Sequence, residues 1–151
     1  MLSRNLLSTQ APAAVVLIRL MVGAVFLSEG IQKFLIPEQV GAGRFAKIGL
    51  PAPEFLAPFV GSFEIVCGAL VLAGLLTRVA VIPLIAIMLT AIATTKLPIL
   101  QNEGFWKAAH ESRTDWSMLL GSIFLLIQGA GPWSLDAGLA RRGERPRDPS
   151  A

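Results

Sequence analysis

The sequence predicts an all-α polytopic membrane protein, an antiparallel bundle of four transmembrane helices. Three observations predict it. Four apolar stretches, Ala13–Phe34, Phe55–Leu76, Val79–Thr95 and Trp116–Ala130, take up most of the chain. The 151 residues are 54% hydrophobic and only 15% charged, with mean hydropathy +0.65, whereas soluble domains run near a quarter charged. Within each stretch the few polar and small residues recur at helical spacing. A helix rises about 1.5 Å per residue, so roughly 17–25 apolar residues cross a hydrocarbon core about 30 Å thick.

Residues 1–12 form a short polar lead. It is a poor signal peptide, because its positive region is Arg4 alone and Arg19 interrupts the apolar run. Pro12 suits the start of the first helix, where its missing N–H costs nothing. Pro37 ends that helix, and residues 38–54 read as a loop carrying Gly41, Gly43, Gly49, Pro51 and Pro53. Only Thr77 and Arg78 separate the second and third stretches, which predicts a tight antiparallel hairpin. Residues 96–115 read as a second loop. The transmembrane domain spans 13–136, and 137–151 is a basic, proline-bearing segment expected to be a disordered tail.

The polar positions inside the stretches carry the functional question. Arg19, Gly23, Phe26, Gly30 and Lys33 share one face of the first helix, with Glu29 at its edge. Gly61, Glu64 and Gly68 share a face of the second, beside Cys67. Pro83, Thr90 and Thr94 align on the third, and Ser117, Gly121, Phe124 and Gln128 on the fourth. Lipid gains nothing from such residues, so these stripes are expected to face one another, with Thr90 and Thr94 as interhelical donors. A charge at the bilayer centre costs about 2.5–3.5 kcal/mol on insertion scales. Arg19, Glu29, Lys33 and Glu64 are therefore the candidate intramembrane polar site. Arg19 and Glu64 are expected to share a cluster, directly or through water, and Glu29 with Lys33 to form an i,i+4 pair.

Topology follows from counting Lys and Arg. Arg4, Arg78, Arg141, Arg142, Arg145 and Arg147 lie on the side of the termini, against Lys33, Arg44, Lys47, Lys96, Lys107 and Arg113. The count ties, but the first group is concentrated in the hairpin turn and the tail, which favours cytoplasmic termini. Trp116 and Trp133 bracket the fourth helix as interfacial aromatics would. The net charge of +3 reads as membrane-flank charge and not as a nucleic-acid surface. One cysteine, Cys67, allows no internal disulfide or CxxC pair, and one histidine, His110, allows no two-histidine metal or haem site within the chain.

The segments IRLMVGAVFLSEGIQKF, Gly49–Pro51, FVGSFEIVCGALVLAGLLTRVA and the closing GPWSLD at Gly131–Asp136 resemble the DoxX family of small four-helix bacterial membrane proteins. The resemblance covers about residues 14–136. It implies four transmembrane helices in the cytoplasmic (inner) membrane with both termini cytoplasmic. Gly30, Gly68, Arg78 and Asp136, with Arg19, Glu29, Lys33 and Glu64, are the motif positions it picks out. Some relatives resemble the small subunit of a thiosulfate:quinone oxidoreductase and others are linked to oxidative-stress complexes. The expected function is a non-catalytic subunit or scaffold of a membrane redox or oxidative-stress system, with no catalytic residue and no metal. The alternatives are a quinone-binding oxidoreductase subunit and a small-molecule carrier acting as an oligomer. No resident cofactor is predicted, quinone being the candidate the first alternative brings. The expected partners are the lipid bilayer and a redox partner protein or further copies of the chain, with no nucleic acid.

Overall fold

The first apolar stretch becomes helix α1, Val15–Leu35, and the second becomes α4, Pro53–Ala73. Two short helices, α2 (Pro37–Val40) and α3 (Ala42–Lys47), lie between them. The third stretch is longer than its apolar core. It runs as α5 (Thr77–Ala91), a π-helical turn at Ile92–Lys96 and α6 (Leu97–Glu103). Then follow α7 (Phe105–Glu111), α8 (Arg113–Gln128) and α9 (Leu135–Gly143). The computed structural model describes residues 11–143, which hold helices and turns and no strand among them.

The protein is an all-α membrane protein, and three of its helical runs are long and apolar enough to cross a bilayer: Val15–Leu35, Pro53–Ala73 and the 27-residue Thr77–Glu103. The fourth stretch falls short. Helix α8 has 16 residues, about 24 Å at the helical rise, against a core of about 30 Å. It still packs along the α5 run, antiparallel to it. Arg78, at the start of α5, donates to the Ile127 carbonyl at the end of α8, while Lys96 meets Asp115 at the other end.

Small residues set the closest crossing. A Cβ on Gly30 would lie 2.7 Å from the Gly61 carbonyl oxygen, and one on Gly68 would lie 2.8 Å from the Leu27 nitrogen. Helices α1 and α4 therefore touch backbone to backbone, as small-residue pairs permit in lipid. Arg19, Gly23, Phe26 and Gly30 are buried on α1, and Gly61, Glu64, Cys67 and Gly68 on α4. The face expected for the fourth helix is displaced. Ser117, Phe124 and Gln128 are exposed, and α8 buries Met118, Leu119, Gly121, Ser122 and Leu125 instead. Those five form an ordinary 3.6-residue stripe whose apolar members outweigh the polar pattern. The outward surface is apolar, with Leu17, Phe55 and Ile127 each more than 60% exposed.

The turn between α4 and α5 comes earlier than Thr77–Arg78. Helix α4 stops at Ala73 because Gly74 adopts φ +67°, the left-handed cap conformation. Leu75 and Leu76 complete the turn, and Thr77 opens α5. Leu76 is itself left-handed, φ 49°, which costs a residue with a Cβ about 1–2 kcal/mol. Asp136 offsets that cost. Its Oδ1 accepts the Leu76 N–H at 2.8 Å and its Oδ2 the Thr77 N–H at 3.1 Å, capping α5 from a distant part of the chain. The segment read as a tail begins in helix: residues 137–143 belong to α9. The remainder of that expectation, and the polar lead up to residue 10, lie outside the described residues.

Candidate functional site

The four candidate charges are sorted to opposite ends of the packed helices. Arg19, 4% exposed, sits at the end where α4 stops and α5 starts. Its Nε donates to the Val71 carbonyl at 3.1 Å and Nη2 to Leu72 at 2.6 Å. Nη1 donates to Ala130 at 3.1 Å and Trp133 at 2.5 Å. Val71 and Leu72 belong to the last turn of α4, whose carbonyls have no partner within the helix and carry its negative dipole end. A guanidinium with five fixed donors satisfies four carbonyls from two segments at once. The same end holds Asp136, 2% exposed, whose N–H donates to the Gly74 carbonyl.

The expected Arg19–Glu64 cluster is therefore not formed. Arg19 spends its donors on backbone, and Glu64 has another partner, Lys33. The ammonium and Glu64 Oε2 are 2.6 Å apart, with side chains only 8% and 4% exposed. The Gly30–Gly61 contact brings this about: the two helices run antiparallel, so Glu64 packs beside Gly30, its Cβ 2.9 Å from where a Cβ on Gly30 would lie, and Lys33 packs beside Gly61, its Cβ 3.3 Å from where a Cβ on Gly61 would lie. Lys33 thus reaches across to Glu64 and does not form the i,i+4 pair with Glu29. Glu29 lines the same cavity as the pair.

Glu29, Lys33 and Glu64 line a cavity of about 610 Å³ at the end remote from Arg19. Its walls are the second half of α1, the first half of α4, the run from Ala86 to Lys96 and the start of α8. Arg44, Phe45, Ile48 and Leu50, from α3 and the turn after it, close over the space. The π turn contributes Thr94, Thr95 and Lys96, and such turns recur at functional sites. Lys96 pairs with Asp115 of α8 at 3.3 Å across the cavity's edge, both side chains less than 20% exposed. Thr90 and Thr94 are not interhelical donors. Their hydroxyls donate to Ala86 and Thr90 carbonyls four residues back, and Thr95 does the same to Ala91 at 2.6 Å.

The cavity's cover, the Lys96–Asp115 pair and the π turn escaped the sequence reading. The available signal was two opposite charges bracketing the 96–115 segment and three threonines just before it. Trp116 and Trp133 are 50% and 70% exposed, so neither is a core aromatic.

Among the described residues no group of three or more His, Cys, Asp or Glu side chains could hold a metal ion. Cys67 is buried, and no disulfide involves it. An apolar chamber with a few convergent polar groups is the form a small-molecule site takes.

The sequence profile of DoxX matches residues 14–97, more than half of the chain. The protein belongs to the DoxX family. It is 58% identical over 144 residues to an uncharacterized membrane protein of Mycobacterium tuberculosis, an alignment covering 91% of this chain and 88% of the relative. It is 33% identical over 122 residues to CatD of Bacillus subtilis, named as a proposed oxidoreductase, with 80% and 82% covered. No solved structure matches it. The DoxX match takes in α1, α4 and α5, and so Arg19, Glu29, Lys33 and Glu64, but not Asp136.

Proposed function

We propose that this DoxX protein is a ligand-holding, non-catalytic subunit of a membrane redox system, and that the chamber beside Lys33 and Glu64 receives a quinone-type ring. The observation that carries the reading is the chamber itself. Its volume of about 610 Å³ falls in the range of small-molecule sites, roughly 300–1,000 Å³. Its lining combines Val25, Phe26, Val60 and Met118 with the buried ion pair, which suits a flat apolar ring with a polar edge. The name of CatD points to redox chemistry in a relative. A bound quinone supplies two-electron, two-proton chemistry. The chain supplies the rest: apolar side chains exclude water, and Lys33, Glu64 and Glu29 orient the polar edge.

We further infer that α8 crosses the cytoplasmic membrane with the three longer runs and that both termini are cytoplasmic. Helix α8 lies antiparallel to α5, and the start of α1 and the end of α8 meet at the Arg19 end. The chamber then faces the outer half of the bilayer.

Binding tests the reading. A short-chain benzoquinone titrated into the protein in lipid nanodiscs is expected to bind saturably near one per chain. Ala91 lines the chamber, so Ala91→Phe fills it and is expected to weaken binding at least tenfold. Absence of saturable binding to the unmodified protein would remove the ligand-holding role.

A further inference from the structure

A second, smaller groove lies on the outward side of the seam between α4 and α5. Phe59, Val60 and Phe63 of α4 and Pro83 and Ile87 of α5 line it, and all five are apolar. Its volume is about 140 Å³, close to that of an engineered apolar cavity of about 150 Å³ that holds benzene. Phe59 and Phe63 are 49% and 41% exposed, with ring centroids 5.1 Å apart. Val60 and Ile87 also line the chamber. The two spaces therefore share a wall of two aliphatic side chains.

Proline interrupts both helices at this wall. Pro58 lies inside α4 and Pro83 inside α5. Neither has an N–H to give the carbonyl four residues back, so each helix lacks a rung of its ladder beside the groove. Ser62 adds a hydroxyl bond to the Pro58 carbonyl at 2.8 Å, a contact that often bends helices. The chamber is covered toward the near membrane surface by Phe45, Ile48 and Leu50, whereas toward the lipid only Val60 and Ile87 stand between it and the groove.

Depth gives the groove a direction. Ile87 follows Thr77 in α5 by about 15 Å at the helical rise, half of a core about 30 Å thick. From there the chamber extends toward the level of Lys96 and Asp115. Its charged groups thus lie toward one membrane surface and the groove lies near the midplane. An amphiphile in that leaflet has the same orientation, head at the surface and chain at the midplane. Val60 sits one turn from Glu64 on the same face of α4, so a chain leaving between Val60 and Ile87 starts beside the Lys33–Glu64 pair.

We propose that the chamber's ligand is an amphiphile with a hydrocarbon chain, taken up from the bilayer, and that the α4–α5 groove is the subsite for that chain. This rests on the ligand-holding reading above, but not on the chemistry of the ligand's head. The chain passes between Val60 and Ile87, lies against Phe59 and Phe63, and continues into the lipid.

The test uses two probes in nanodiscs, the short-chain benzoquinone and a decyl-benzoquinone. Each variant's dissociation constant is divided by that of the unmodified protein for the same probe, so partitioning of the chain into lipid cancels. Pro83→Phe fills the groove and Phe63→Ala removes one of its walls. Each is expected to weaken binding of the decyl probe at least fivefold and of the short-chain probe less than twofold. Phe63 is partly exposed, so Phe63→Ala carries the test alone if Pro83→Phe does not fold. Phe55→Ala is the control. Its ring stacks on Phe59 at 5.7 Å but does not line the groove, and neither probe should respond. Equal ratios for the two probes, or an unchanged decyl probe, would overturn the proposal and leave the groove to ordinary bilayer lipid, while saturable short-chain binding keeps the ligand-holding reading. Binding of neither probe to the unmodified protein would bring down both.

Discussion

Replacing Arg19 with glutamine is expected to cause one of the largest losses of stability among single polar substitutions in the chain. The guanidinium satisfies carbonyls of Val71, Leu72, Ala130 and Trp133. Glutamine has a single two-hydrogen donor and a shorter reach, so at least two buried acceptors would lose their partner at about 1–3 kcal/mol each. The loss should reach about 4 kcal/mol on that scale, and detergent melting curves would show it directly. Arg19→Lys keeps the charge at the end of α4 but not the planar fork, so it should recover only part of the loss. A glutamine variant that melts with the unmodified protein would mean that Arg19 is not the tie between α4 and the segment after α8.

The second large effect is expected at Gly68. A leucine there would place its Cβ 2.8 Å from the Leu27 nitrogen and 3.0 Å from the Gly23 carbonyl oxygen. These are backbone atoms of α1, which cannot turn aside as a flexible side chain can. Overpacking costs about 1–3 kcal/mol where side chains can adjust, and here the upper end or more is expected because two helices must separate. Val66, two residues away and 58% exposed, provides the control. Val66→Leu enlarges a side chain that faces outward, and should leave the melting temperature almost unchanged. Equal effects at the two positions would contradict the assignment of the α1–α4 interface. Because the same crossing brings Glu64 to Lys33, Gly68→Leu should also weaken ligand binding.

How far these features could be read from the sequence depends on the kind of partner involved. Apolar length gave α1 and α4 to within three residues at each end, because lipid demands it of any crossing helix. Helical spacing placed Gly23, Gly30, Gly61 and Gly68 on buried faces, and the structure puts them in contact. It could not place the partners of Arg19, which are carbonyl oxygens. Every residue has one, so no side-chain pattern marks them. The attraction of Arg19 to Glu64 was a pairing of opposite charges that ignored this competitor. Lys33 was visible as a charge, but whether it turned to Glu29 or across to Glu64 depended on the depth of the Gly30–Gly61 crossing. Helices α2, α3, α6 and α7 are four to seven residues long. One or two turns are too few to show a period, and such pieces form because the packed helices hold them. Asp136 was evident only through resemblance, since its work is to cap α5 from another part of the chain.

The proposed separation of a structural polar cluster around Arg19 from a ligand-facing one around Glu64 is tested by a double-mutant cycle on stability. Arg19→Gln, Lys33→Gln and Glu64→Gln would be made singly, together with the Lys33/Glu64 and Arg19/Glu64 doubles. Removing one member of the 2.6 Å pair leaves the other as an unpaired buried charge, at about 3–5 kcal/mol. The Lys33/Glu64 double mutant should therefore be more stable than the sum of its singles predicts, by more than about 1 kcal/mol, whereas distant sites add to within roughly 0.5 kcal/mol. Additive losses for Arg19/Glu64 are the predicted result. Coupling between Arg19 and Glu64, with Lys33 and Glu64 additive, would contradict the account.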